Sequence, residues 1–245
     1  MRLIRPFLVL SFSFLAWLAI TPNTARAEEV ELELVLAVDV SRSIDDDEFR
    51  LQREGYAQAF VHPAVIGAIQ SNPHQRIAVT FIEWAGAEFQ KVVVPWTLVS
   101  DAESGALFGE AILRAPRAFY GWTSISGAID FSMRQFAESP HRGTRKVIDV
   151  SGDGINNSGR TSADARDEAL AAGATINGLV IMNDRPNPGP GSFRMPQPPL
   201  DEFFRAQVIG GPGAFVIAIE DFTSFAYAIV NKLIREIAEA PARER

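Results

Sequence analysis

The sequence predicts an α/β fold: a doubly wound, mainly parallel six-stranded sheet in the order 3-2-1-4-5-6, with strand 3 antiparallel and helices on both faces. Two observations carry that expectation. Short apolar runs rich in Val, Ile and Leu alternate with segments of helical period, and that alternation calls for a parallel sheet layered by helices. The second and third runs are separated only by a short turn at Gly86, a spacing that permits a hairpin and no crossover. No internal repeat or change of composition divides the chain. A single domain is expected over 28–245, with its core at about 30–238.

The elements follow in order. Residues 28–33 read as an acidic lead-in, and the run LVLAV at 34–38 reads as a strand buried on both faces, ending on Asp39. Acids at 45–48 favour a helix start, with Ser43 placed as its cap; that helix is predicted over 46–61, with Phe49, Tyr56 and Phe60 inward. His62-Pro63 interrupts it, and a short helix resumes at 65–69. Strands follow at 76–84 and 88–94, then a helix over 101–113. After a loop at 114–121, Ile125, Ala128, Ile129, Met133 and Phe136 hold a helical period. The fourth strand, 146–151, runs into Gly152-Asp153-Gly154. A helix at 162–172 closes on Gly173, and the fifth strand is 174–181. Residues 183–199 are rich in proline and glycine and form an unusually long loop, which either selects a partner or is a passive insert. A short helix at 200–206, a strand at 214–219 and a last helix carrying Phe222, Phe225, Ala226, Ile229, Leu233 and Ile237 inward complete the chain.

The start resembles an export signal: Arg2 and Arg5, an apolar stretch at 7–20, and the small-residue site Ala25-Arg26-Ala27. Cleavage after Ala27 leaves 218 residues and moves the formal net charge from −7 to −10. An acidic chain without a basic cluster is a poor fit to nucleic acid or anionic lipid. No second apolar segment approaches membrane-spanning length. The chain has no cysteine, so disulfide staples are excluded. A periplasmic or secreted bacterial protein is the expectation.

Asp39, Ser41 and Ser43 alternate, so an extended chain that curls after the strand can turn all three toward one spot. In the expected strand order, strands one and four are neighbours, so Asp39 and Asp153 reach the same crevice at their carboxyl ends. Thr123, opening the helix before strand four, reaches it too. Two carboxylates and three hydroxyls offer hard oxygens, which suit Mg²⁺, Mn²⁺ or Ca²⁺. Taken singly, Asp39 is a turn residue, Ser43 and Thr123 are caps, and Asp153 is a turn between glycines. Glu83 reads as an exposed strand end, Asp149 as a hydrogen-bonded structural carboxylate, Asn156 and Asn157 as loop formers, and the three histidines carry no metal-ligand spacing.

DVSRS at 39–43, Thr123 at a helix start and SGDG at 151–154 together resemble the metal-ion-dependent adhesion site of von Willebrand factor A domains. The phrases EWAG, VVPW, VIDVSGDGINN, INGL and GGPGAFV are similar to secreted bacterial members of no assigned function. The resemblance covers about 30–238 and implies that Ser41, Ser43 and Thr123 supply hydroxyls to a divalent cation, with Asp39 and Asp153 binding directly or through water. It further implies that a protein partner's Asp or Glu completes the coordination. Two rivals stand beside this adhesion-type reading. One is a Mg²⁺-dependent phosphohydrolase using Asp39, although Ser41 stands where a second Asp is needed and Lys91, Lys146 and Lys232 are poorly placed. The other is a structural subunit whose ion only stabilises loops.

Overall fold

The computed structural model describes residues 27–182 and 198–238. The expected export signal and all but the last two residues of the Pro/Gly-rich loop lie outside the described residues. The strands are β1 (Glu28–Asp39), β2 (Ile77–Trp84), β3 (Gln90–Val99), β4 (His141–Gly152), β5 (Ala174–Ile181) and β6 (Val216–Ile219). They form one sheet in the order β3-β2-β1-β4-β5-β6, with only the β2–β3 pair antiparallel. The helices are α1 (Asp46–Ala59), α2 (Pro63–Ser71), α3 (Ala102–Arg114), α4 (Ile125–Glu138), α5 (Ser162–Ala171), α6 (Leu200–Gln207) and α7 (Phe225–Ala238), the last preceded by a 3-10 turn at Phe222–Ser224. No helix among the described residues is long and apolar enough to cross a membrane.

The central strands separate two cores. Leu34, Leu36 and Val38 of β1 face α1, α2, α3 and α7, where Tyr56, Phe60, Phe108 and Phe225 pack. Val35 and Ala37 face α4, α5 and α6, where Ile125, Ile129 and Phe204 pack. Each of these fully buried aromatic or branched side chains contributes about 1.5–3 kcal/mol relative to exposure. At Gly105 and Gly109 any Cβ would collide with the backbone of Phe60 and Ala57, so these glycines let α3 close on α1.

Several boundaries differ from expectation. The acidic lead-in belongs to β1, whose Glu31 and Glu33 are buried: Glu31 faces His74, at 3.1 Å, and Thr144, and Glu33 accepts from Gly143 N at 3.2 Å. β3 continues past Pro95, tolerated because this is an edge strand with a shifted register against β2. β4 begins at His141, since its first residues pair with the same acidic stretch of β1.

Candidate metal centre

β1 and β2 stay paired up to Asp39 and Trp84, and β1 and β4 up to Val38 and Ser151. Asp39 is thus the last sheet residue of the central strand, and it is fully buried. The chain then curls: Val40 N donates to Trp84 O at 2.9 Å, Ser41 N to Asp39 Oδ1 at 2.7 Å, and Ile44 N to Ser41 O at 3.1 Å. The curl sets Ser41 Oγ 3.0 Å from Ser43 Oγ, and Ser43 Oγ donates to Asp153 Oδ1 at 2.6 Å. A chain of hydroxyls therefore runs from beside Asp39 to Asp153. Gly152 is needed where it stands, because a Cβ there would sit 3.1 Å from Asp39 Oδ2. A Cβ on Gly154 would lie 3.6 Å from Thr123 Oγ1, so Thr123 borders the same turn. All five residues singled out from the sequence share one crevice.

Thr123 is fixed through its backbone. Its N–H donates to Asn157 Oδ1 and its carbonyl accepts from Asn157 N, each at 2.9 Å. Asn156 Oδ1 accepts from Ser126 N at 3.1 Å. The two asparagines thus clamp the start of α4 onto the turn carrying Asp153, a more specific role than forming a loop. Ser124 caps α4, accepting from Gly127 N at 3.1 Å.

Ser43 is not the cap of α1. Asp45 takes that place in a reciprocal capping box with Glu48, which leaves the Ser43 hydroxyl for Asp153. Glu83 is not exposed but wholly buried: Arg53 Nη2 donates to its Oε1 at 2.5 Å, and Ala118 N to its Oε2 at 2.8 Å. Arg53 also binds the carbonyls of Ile112 and Ala115. This pair anchors the loop that carries Arg117, a residue the sequence reading passed over. Arg117 Nη2 donates to the carbonyls of Val40, Ser41 and Ile44 at 2.9, 3.0 and 2.8 Å. The guanidinium lies 4.1 Å from the Tyr120 ring centroid and thereby holds the curl after Asp39. A lone arginine in a connecting loop gives no sequence signal for such a clamp.

Burial, reinforced by the negative charge of Asp153, pushes the Asp39 carboxyl up to about 8, against the opposing pull of Ser41 and Arg117. Its Oδ2 is buried without a hydrogen-bond partner. Among the described residues no lysine or arginine is ion-paired with Asp39. Two acids held together, one with an orphaned oxygen, form an arrangement that a divalent cation relieves. No group of three or more His, Cys, Asp or Glu able to hold a metal occurs among the described residues, so any centre here draws on the hydroxyls. The donor set fits a hard cation; Ser41, Ser43, Thr123, Asp39 and Asp153 are the residues that would hold one.

A family model described as protein of unknown function (DUF1194) matches residues 29–241. The chain belongs to the DUF1194 family. No curated protein sequence matches it significantly. Solved structures place this DUF1194 chain in the von Willebrand factor A fold. Proximal thread matrix protein 1 from the mussel byssus, in a form with a zinc-occupied MIDAS motif, is 15% identical with TM-score 0.60, the match covering 87% of this chain and 49% of that one. A von Willebrand factor type A protein from Catenulispora acidiphila is 18% identical with TM-score 0.55, covering 85% and 42%. Manganese-loaded TRAP from Plasmodium vivax is 14% identical with TM-score 0.50, covering 85% and 73%. The DUF1194 chain spans about half the length of the first two. At these identities the likeness establishes the fold.

Proposed function

We propose that this protein is an exported, metal-dependent binding module of adhesion type. In this reading Asp39, Ser41, Ser43, Thr123 and Asp153 hold Mg²⁺, or Mn²⁺ or Ca²⁺, and an Asp or Glu of a protein partner completes the ion's coordination. The signal segment 1–27 sends the chain to the periplasm or beyond, and 28–245 is its single domain. The observation that carries the proposal is the buried Asp39, its Oδ2 unpartnered and its charge opposed by Asp153. The zinc-occupied site of the mussel protein and the manganese-loaded TRAP protein support a divalent cation in this fold.

Exposed aromatic side chains at the rim support a protein partner. Tyr120 and Trp122, in the loop leading to Thr123, are 61% and 71% exposed. The exposed acids Asp45, Asp46 and Asp47 adjoin them, and Tyr120 Oη donates to Asp46 Oδ1 at 3.4 Å. Apolar neighbours of the incoming carboxylate would pack on the two rings. For phosphoryl transfer, Lys232 offers no help: it is fully buried and committed to Asp149 and Glu236.

Capture from an envelope extract with Mn²⁺, with EDTA, and with an Asp39→Ala/Ser41→Ala variant tests the proposal. The expected result is a partner retained only by the wild type with metal. Capture that ignores both EDTA and the substitutions would contradict it. Phosphatase turnover abolished by Asp39→Asn would favour the enzyme instead.

A further inference from the structure

Far from the crevice, a second cluster of charge lies inside the helical core. Asp149 in the middle of β4 and Lys232 and Glu236 of α7 are all 0% exposed. Lys232 Nζ lies 2.9 Å from Asp149 Oδ1 and is in contact with Glu236 Oε1. Asn177 of β5 donates to the same Glu236 oxygen at 2.9 Å. The Phe215 ring centroid is 5.1 Å from Nζ, and Tyr56 and Phe225 pack in the same core. Neither oxygen of Asp149 accepts a well-directed hydrogen bond, and Glu236 Oε2 has no partner. One ammonium thus faces two carboxylates shut off from bulk solvent, an arrangement that neutral groups of the same shape would often improve.

We infer that Lys232 and Asp149 are the site of an internal amide cross-link, with Glu236 as the proton carrier. The reacting groups are brought together by two elements, β4 and α7, with Nζ 2.9 Å from Asp149 Oδ1, so much of the entropic part of the barrier is met by folding. Burial, countered by Lys232 and aided by Glu236, pushes the Asp149 carboxyl up to about 7. The two acids outweigh burial and raise the Lys232 pKa, so the pair rests as ammonium and carboxylate; the reactive form is the one in which Nζ has passed a proton to Asp149 inside the cluster.

The step balances without a co-reactant. The neutral Nζ attacks Cγ of the protonated Asp149, and an N–Cγ bond forms. Glu236 takes a proton from the nitrogen and returns it to the departing hydroxyl, the Cγ–O bond breaks, and one water leaves. Two opposite charges become one amide, and the last helix is tied to a central strand. A chain without cysteine gains by this route what a disulfide supplies elsewhere: a loop closed in the unfolded state.

Intact-mass measurement and tryptic mapping of the purified full-length protein test the inference. The wild type should weigh one water less than its sequence. Trypsin should leave Lys232 uncut, with the peptide 147–160 joined to the one containing Lys232. Glu236→Gln, isosteric and folded by circular dichroism, should restore the full mass and cleavage after Lys232. A wild type of full mass, cut after Lys232 once denatured, would overturn the cross-link. So would a missing water traced to a succinimide at Asp153–Gly154. Cross-linking undiminished in Glu236→Gln would overturn the role given to Glu236.

Discussion

Two pairs of acids, at the top and in the middle of the same sheet, meet opposite fates. Asp149 and Glu236 are closed in the core, and the cation that meets them on folding, before any cross-link forms, comes from the same chain as Lys232. Asp39 and Asp153 stand at the carboxyl ends of β1 and β4, where no lysine or arginine among the described residues pairs with Asp39, and hydroxyls fill the gap between them. A buried charge without a partner costs several kcal/mol. The inner pair meets that cost once, on folding. In the outer pair Asp39 Oδ2 has no hydrogen-bond partner, a cost that a cation from solution would relieve under the proposed function.

The comparison can be broken at either end. Lys232→Ala removes both the cation that the inner acids meet on folding and the amine of the inferred cross-link, and should cost about 3–5 kcal/mol or more. At ~2–4 °C per kcal/mol for a chain of this size, the melting midpoint should fall by roughly 6–20 °C. A small shift would mean that the inner cluster is held neither by its charges nor by a cross-link. Arg117→Ala removes the Nη2 group shared by the carbonyls of Val40, Ser41 and Ile44 and should cost about 2–3 kcal/mol, with the midpoint gain from Mn²⁺ reduced as well. An unaltered metal response would show that the curl holds its shape without the clamp.

Asp39→Asn should act with the opposite sign to Lys232→Ala. It keeps an acceptor for Ser41 N and removes a repelled charge, so the metal-free protein should gain on the order of 1–3 kcal/mol while losing its response to Mn²⁺. A destabilised metal-free variant would show that the charge of Asp39 is already compensated. The finest distinction lies between neighbours. Asp45→Ala should lose about 1 kcal/mol of helix cap, whereas Ser43→Ala should change metal-free stability by less than ~0.5 kcal/mol yet weaken the metal response. Equal effects on stability would mean that Ser43 serves the helix after all.

Much of this was legible from residue order. Apolar runs alternating with helical periods fix the strand sequence, and a strand-end Asp on each of two adjacent strands must meet in one crevice. The limit was reached at charged side chains. Glu31, Glu33, Glu83, Arg53 and Lys232 have the composition of a solvated surface, and only tertiary pairing makes their burial tolerable. Ser43 and Asp45 are both good caps, and the choice between them depends on where Asp153 arrives from a distant strand. Arg117 works through backbone carbonyls, which carry no identity that a sequence could display.

The most direct measurement is a calorimetric titration of Mn²⁺ into the chelator-treated protein, run in parallel on wild type and Asp39→Asn. Saturable uptake of one ion per chain by the wild type, absent from Asp39→Asn, is expected if the outer acids await a cation. No uptake by the wild type, or equal uptake by both proteins, would contradict it.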